Sequence, residues 1–237
     1  MKKYIALVLA LLMAVLLVGC TEKKEEAPQF DPAAKSEGVM TYDEYMAAAI
    51  DSEVTVECYV QDTQGWWDNS IVVYAQDPDG GYFFYGLSCS EEDSALLVPG
   101  TKIKVTGYKA EFEGEIEVVD GAFEIGEGTW IAEPVDATAW LGTDELIVHQ
   151  NELVMFKGLT VEAIEFKNGE PGDDIYVTVS LNGASYNFCV EVYHNGPDTE
   201  VYQAVSALTA GDVIDIVAYN YWYQGPNAHI DSVTVVE

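Results

Sequence analysis

Nucleophilic and cofactor chemistry are the first possibilities that the residue spacing raises, and the spacing disfavours both. The segment Gly86-Leu-Ser88-Cys-Ser90 comes near a nucleophile elbow, but Ser stands at the fifth position, where the sharp turn needs Gly. The pair Gly126-Glu-Gly128 lacks a third glycine and does not lead from a strand into a helix, so it is not a dinucleotide loop. We therefore expect a protein that is not an enzyme and carries no cofactor.

Histidines and carboxylates give no ligand pattern for a metal ion. The chain has three histidines that are far apart in sequence: His149, His194 and His229. Carboxylates occur in the turns at 77–80 and 172–174, but neither turn matches a calcium loop. We expect no specific metal site. Carboxylates are so abundant that a close pair is no evidence of glycoside hydrolysis, which remains the weakest alternative.

Clustered aromatic residues are the better indication of a binding function. Flat rings offer large apolar faces, and Tyr and Trp add a polar group that can bond to a ligand. Two groups lie among polar neighbours, and a third lies in a strand whose outward face is apolar. The candidate ligand-binding residues are Trp66, Trp67, Phe83, Tyr85, Tyr221, Trp222 and Tyr223. The alternative is that these rings cap or join packed domains.

The N-terminal segment predicts an exported lipoprotein. Met1-Lys2-Lys3 is followed by an apolar run that is too short to span a bilayer comfortably and has the form of a secretory signal. The end of this run, Leu17-Val18-Gly19-Cys20, resembles a bacterial lipobox. The resemblance implies that residues 1–19 are removed, and that Cys20 is lipidated and holds the protein outside the cytoplasm on a bacterial membrane. Residues 20–39 lack apolar periodicity and predict a flexible tether.

Charge bears on the choice of partners. Acidic residues number 41 against 10 lysines, and the formal net charge is −31. Nucleic-acid binding depends on Lys and Arg that displace counterions from phosphate. The composition therefore predicts that nucleic acid is not a partner.

An internal repeat organises the rest of the chain. The segment from Leu97 to Tyr108 aligns without a gap with the segment from Leu208 to Tyr219, at an offset of 111 residues. Each copy predicts a short helix, three strands, a second helix and two more strands. The fold class is therefore mainly β. The predicted strands are 54–61, 71–75, 82–87, 102–110 and 115–119 in the first copy, and 154–164, 175–181, 186–192, 213–221 and 229–236 in the second.

This order of elements resembles the OB-fold, a five-stranded Greek-key barrel. The resemblance implies two tandem OB-like domains, at 40–125 and 142–237, joined by a connector at 126–141. An SH3-like barrel or an immunoglobulin-like sandwich is the alternative. OB barrels bind ligands through strands two and three and the loops that follow strands one and four. Trp66 and Trp67 fall in the first such loop of copy one, and residues 221–223 fall in the strand 4–5 loop of copy two.

Three cysteines remain once Cys20 is assigned to the lipid. Because three thiols cannot all pair, at least one stays free. Cys58 shares a strand face with valines and is expected to pack as a small apolar residue, although a Cys58–Cys89 bridge is possible.

Two functions fit these features. The first is a membrane-anchored binding protein that holds a carbohydrate, a peptide or another envelope component through loop aromatics. The second is a structural or assembly partner of another cell-envelope protein, with the aromatics at the interface.

Overall fold

A computed structural model describes residues 30–236, and residues 32–236 form one compact unit. The predicted leader and the predicted lipidation of Cys20 fall on residues 1–29, which lie outside the described residues. In the described part of the chain, no helix has the length and apolar character that crossing a bilayer requires.

The first half is a closed β-barrel with the strand order β1-β2-β3-β5-β4. A short helix precedes it and another lies between β3 and β4. The elements are α1 (Tyr42–Ala47), β1 (Glu53–Thr63), β2 (Ser70–Asp77), β3 (Gly80–Ser88), α2 (Glu91–Ser94), β4 (Thr101–Phe112) and β5 (Glu115–Thr129). Helix α1 begins at a capping box, in which the Thr41 hydroxyl accepts from the Glu44 N–H and the Glu44 carboxylate accepts from the Thr41 N–H.

The second half is a six-stranded sheet with the order β10-β11-β9-β8-β7-β6, in which β10 also pairs with β7. Its five long strands therefore follow the same circular order as those of the first barrel. The elements are β6 (Val135–Asp136), a 3₁₀ turn (Thr138–Trp140), α3 (Glu145–Val148), β7 (Leu153–Phe166), β8 (Ile175–Leu181), β9 (Ala184–Val190), α4 (Glu200–Ser206), β10 (Val213–Tyr219) and β11 (His229–Val235).

Each half has its own apolar core because alternate residues of every strand face inward. The aligned pairs Ile103 and Ile214, and Val105 and Ile216, are buried in their respective cores. Cys58 is fully buried in the first core, and Cys58, Cys89 and Cys189 are free thiols in this structure. The prediction of a mainly β fold is confirmed.

Strand β5 differs most from its predicted range. It continues past residue 119 to Thr129, so it enters the segment predicted as a connector. Asp120 has a φ of 52° at a register shift between β4 and β5, and the strand resumes pairing beyond it. The Asp-Gly pair at 120–121 is therefore a β-bulge within a strand and not a turn that ends it.

Residues 35 and 36 lie in the segment predicted as a tether, yet both bond to the first barrel. The Lys35 ammonium group contacts the buried Asp77 carboxylate and donates to the Glu57 carbonyl oxygen. The Ser36 N–H donates to the Glu57 carboxylate over 3.1 Å. This part of the chain is consequently fixed on the barrel surface.

Candidate functional site

The seam between the two halves is held by side-chain amides that bond to backbone groups across it. Gln76 accepts from the Leu153 N–H over 2.8 Å, and Gln150 both accepts from the Ile116 N–H and donates to the Gly114 carbonyl oxygen. Gly81 lies so close to the second half that a Cβ there would be 2.2 Å from the Asn151 backbone carbon. The halves therefore meet with backbone in contact with backbone.

Aromatic rings fill the centre of the seam. Tyr74 and Tyr219 stack with their ring centroids 4.5 Å apart, and Phe83 packs edge-on against Tyr221 at 5.1 Å. Tyr221 in turn stacks on His229 at 4.2 Å. We call these five residues the seam cluster. Strands β2 and β3 supply two of them and β10, its following loop and β11 supply the rest, so the cluster joins the halves.

A cleft of about 940 Å³ opens above the seam cluster. The first barrel lines it with the β1–β2 loop, the outer faces of β2 and β3, and the end of β4. The second half lines it with the β7–β8 loop, parts of β8 and β9, the segment after β9, and the β10–β11 loop. These are mostly the surfaces that OB barrels use for ligands.

Five of the seven aromatic residues predicted from the sequence line this one cleft. Phe83 and Tyr221 form part of its floor, and Trp67, Tyr85 and Tyr223 are exposed at its rim. Trp67 leaves 80% of its surface accessible, which is far more than packing within the molecule would leave.

The other two predicted residues lie outside the cleft and have roles within the molecule. The Trp66 indole N–H donates to the Cys89 carbonyl oxygen over 3.0 Å, which ties the β1–β2 loop to the end of β3. Trp222 covers the β4–β5 turn, where a Cβ on Gly114 would be 2.8 Å from its indole ring. For these two residues, the interpretation as packing residues describes the observed contacts.

Sequence reasoning missed several residues that line the cleft. Tyr193, which is 74% exposed, follows the predicted strand 186–192 and was not among the candidate residues. Its carbonyl oxygen accepts from the Gly65 N–H over 3.2 Å, so it lies beside the loop that carries Trp67. Phe112 and His229 also line the cleft, and Phe112 lies 5.9 Å from the Tyr223 ring. In the sequence, the aromatic character of these residues was the only feature that indicated a place in a ligand-binding cleft.

His229 is held as a neutral donor at the cleft floor. Burial and the neighbouring His194 lower the pKa of His229 to about 3. Gln64 donates to the Tyr74 hydroxyl, and the Tyr74 hydroxyl lies 2.7 Å from His229 Nδ1. Because the hydroxyl already accepts from Gln64, we assign its proton to the bond with Nδ1, which leaves the ring hydrogen on Nε2.

Charged groups in the cleft are largely neutralised. Lys167 forms an ion pair with Asp174 at 2.8 Å, and Asp174 also accepts from the Val192 N–H. Glu191 accepts from the His194 N–H over 2.8 Å. Burial raises the pKa of Glu191, while that hydrogen bond opposes the rise. These contacts leave the cleft with aromatic surface, neutral amides and few free charges.

Neither a protein-family model nor a curated protein matches the sequence. Solved structures resemble it weakly. One is the Ifi202 HINa domain in complex with 20-base-pair double-stranded DNA, at 8% identity and a TM-score of 0.35, covering 78% of this chain and 98% of that chain. Another is the p204 HINb domain, at 9% identity and a TM-score of 0.36, covering 80% and 100% of the two chains. A replication protein A heterotrimer bound to single-stranded DNA matches at 13% identity and a TM-score of 0.32, covering 78% and 48%.

The prediction that nucleic acid is not a partner is wrong in the light of these matches. The weakly similar structures include complexes with double-stranded and single-stranded DNA. The exclusion is withdrawn. At these identities and TM-scores, the matches assign no ligand to this chain.

Proposed function

We propose that this chain is a non-catalytic binding protein whose seam cleft holds an uncharged oligosaccharide of the cell envelope. The observation that carries the proposal is the convergence of five predicted aromatic residues and Tyr193 on one cleft. In the same proposal, both halves are OB-like barrels in tandem, and Cys20 carries the lipid that anchors the protein outside the cytoplasm.

The strand order supports the tandem assignment. In both halves the third strand pairs in parallel with the last strand, through Phe84 with Val118 and through Cys189 with His229. A helix lies between the third and fourth long strands of each half. These features support a five-stranded Greek-key barrel in each half.

The chemistry of the cleft suits a ligand with flat apolar faces and many hydroxyl groups. Trp67 and Tyr193 present exposed rings on which sugar faces can stack. Between them the cleft offers the Gln64 and Asn227 amides and the His229 N–H, which can bond to hydroxyl groups. An uncharged ligand fits because the one lysine of the cleft is already paired with Asp174.

The non-catalytic part of the proposal rests on how the titratable groups of the cleft are engaged. Asp174 is bonded to Lys167 and to a backbone N–H, and the neutral His229 ring is fixed by Tyr74. A general acid or base must be free to reach a substrate proton. Asp174 does not meet that condition, and His229 cannot act as a base because its one proton-accepting atom, Nδ1, is already bonded to the Tyr74 hydroxyl.

A glycan array of neutral and charged envelope polysaccharides tests the proposal, with single-stranded and double-stranded oligonucleotides on the same surface. The purified protein is compared with the variants Trp67→Ala and Tyr193→Ala, and with Tyr108→Ala as an exposed aromatic control outside the cleft. We expect binding to a neutral glycan that falls roughly tenfold in each cleft variant, because a lost ring contact is worth about 1.4 kcal/mol or more, and no change in the control.

Two results would contradict the proposal. One is glycan binding that is equal in all variants. The other is binding to oligonucleotides, and not to glycans, that depends on Trp67 and Tyr193. The second result would keep the cleft as a binding site and replace its ligand.

A further inference from the structure

Three side chains that are distant in sequence meet at the seam beside the cleft. Asp62 lies near the end of β1, His194 follows β9, and Asp231 lies in β11. One ligand atom from each lies within 4.8 Å of the others. The His194 Nε2 atom is 2.9 Å from Asp62 Oδ2. We call these three residues the seam triad.

The seam triad concentrates negative charge without a lysine to balance it. Among the described residues, no lysine forms an ion pair with Asp62 or Asp231, and the Asp231 side chain has no hydrogen bond. Two carboxylates that approach each other at a half-buried seam repel, and a cation between them relieves that repulsion.

We propose that Asp62, His194 and Asp231 bind one divalent transition-metal ion of the zinc type. Two carboxylates and one imidazole are donors that Zn²⁺ accepts, at about 2.0–2.2 Å. Two atoms at that distance from one ion are themselves roughly 2.9–3.4 Å apart at octahedral to tetrahedral angles. The 2.9 Å between His194 Nε2 and Asp62 Oδ2, now a hydrogen bond, lies at the lower end of this range. The Asp231 carboxylate lies within 4.8 Å of both atoms and must move closer to complete the site.

Access and rigidity also favour a site. The Asp62 side chain is 38% exposed, which leaves an open side for a water ligand, whereas the His194 side chain is 1% exposed. The His194 ring packs against both Tyr74 and Tyr219, with centroid distances of 4.8 and 5.6 Å. Such packing fixes the ring before an ion arrives, and a preorganised ligand loses less entropy on binding.

Asn195 is the residue that must respond to the ion. Its Nδ2 atom lies 3.2 Å from His194 Nδ1 and 3.1 Å from the Ile230 carbonyl oxygen. A histidine that binds metal through Nε2 donates its other N–H to an oxygen acceptor. Metal binding therefore requires the Asn195 amide to present its oxygen to Nδ1, which gives up the bond to Ile230.

An ion at the seam triad would also fix one wall of the cleft. His194 directly follows Tyr193, the most exposed tyrosine of the rim. A metal bridge from Asp62 in the first half to His194 and Asp231 in the second would hold this segment against the β1–β2 loop. The site itself does not depend on which ligand the cleft binds.

Calorimetric titration of the full, tag-free protein with Zn²⁺ tests the proposal. The ligand variants are Asp62→Asn and Asp231→Asn, which keep the side-chain shape. Matched controls are Glu127→Gln and Glu53→Gln, which remove one exposed carboxylate each; Glu53 lies at the opposite end of β1 from Asp62. We expect one equivalent of Zn²⁺ whose affinity falls roughly tenfold or more in each ligand variant, no change in the controls, and no competition by Ca²⁺, since imidazole disfavours hard cations.

A Co²⁺ spectrum excludes binding by the free thiols. We expect d–d bands without a thiolate charge-transfer band, because the triad contains no sulfur. Weak binding of several ions that is equal in all variants would mean diffuse attraction to an acidic surface, and would overturn the proposal. A thiolate band that disappears in Cys89→Ser would overturn it as well.

Discussion

Glu115 is a carboxylic acid buried at the seam without full hydrogen bonding. Its Oε2 atom accepts from the Trp222 N–H over 2.8 Å, while Oε1 has no partner among the described residues. Burial raises the pKa of Glu115 to about 8, against the nearby Asn151 amide and the Trp222 N–H, which lower it. Asn151 Oδ1 is likewise without a partner. When Glu115 is protonated, its carboxyl group can donate a hydrogen bond in a region where the Asn151 Oδ1 acceptor lacks a donor. We therefore infer that Glu115 is a neutral acid at pH 7.

This assignment predicts a pH-dependent effect of Glu115→Gln. Because the folded-state pKa is raised above its ordinary value of 4.5, the folded protein holds a proton that the unfolded chain releases. The stability that this proton provides is full below pH 4.5 and is lost as the pH rises through about 8. The amide of Gln needs no proton, so the variant should gain stability over the parent by about 1–3 kcal/mol at high pH and by little at pH 5.

Urea unfolding between pH 5 and pH 9 measures this difference, with Glu111→Gln as an exposed control. A stability gap that is constant across this range would show that Glu115 does not change its charge there.

Aromatic residue type identified most of the residues that line the cleft, but position in the sequence did not show which rings are exposed there. Trp66 and Trp67 are adjacent and equally aromatic, yet one is bonded to Cys89 and the other is exposed in the cleft. That difference depends on which way the loop turns, and the sequence does not encode it in any spacing. The seam triad was beyond reach for the same reason, since Asp62, His194 and Asp231 share no local pattern.

A β-bulge in β3 determines which aromatic rings reach the cleft. Between the pairs Ile71–Leu87 and Val73–Phe84 the register shifts, and Gly86 has a φ of 76°. Phe83 and Tyr85 therefore face the seam and cleft, while Leu87 returns to the barrel core. Simple alternation would place Phe83, Tyr85 and Leu87 on one face, but the bulge adds a residue and turns Leu87 to the other face.

Gly86→Ala tests this element. No atom lies within 4 Å of the added Cβ, so only the backbone conformation opposes the change. We expect a loss of roughly 1–2 kcal/mol in the free energy of unfolding, the cost of a left-handed conformation for a residue with a side chain. Gly65→Ala is the matched control because it also has open space but no positive φ. Equal midpoints in urea would argue that the strand has no bulge at this residue.

Strand length was the element property that sequence reasoning predicted least well. The second half of β5 pairs with β4 through Phe123 and Ile125, whose partners are Val105 and Ile103. The charged and glycine-rich composition of 120–128 gave no strand signal. Pairing with β4 stabilises the strand conformation here, although the local sequence has a low propensity to form a strand.

At the scale of the whole molecule, the two halves behave in this structure as one unit. Residues 32–236 are a single compact body, and the seam joins backbone to backbone at Gly81 and Asn151. The repeat in the sequence predicted two similar halves, but it held no information on the surface where they meet. Several residues of the seam, such as Tyr74 and Phe83, lie within strands, and the repeat does not indicate which faces of those strands meet.

Gly81→Ala should open the seam. The added Cβ would meet the Asn151 backbone carbon at 2.2 Å and the Glu152 nitrogen at 2.4 Å, and neither atom can rotate away as a side chain can. We expect a cost of roughly 1–3 kcal/mol or more, and a transition that broadens or divides when tryptophan fluorescence and circular dichroism are compared. The parent and Gly65→Ala should unfold in one coincident transition. An unchanged transition for Gly81→Ala would contradict the close approach.

The central claim is that the aromatic cleft at the seam is the place where this protein holds its ligand. A crystal structure of the protein with a glycan selected on the array tests the claim most directly. The account predicts sugar density over the Trp67 and Tyr193 rings, with a hydroxyl group within hydrogen-bond distance of His229 Nε2. Density on an outer barrel face, with the cleft filled only by solvent, would contradict it.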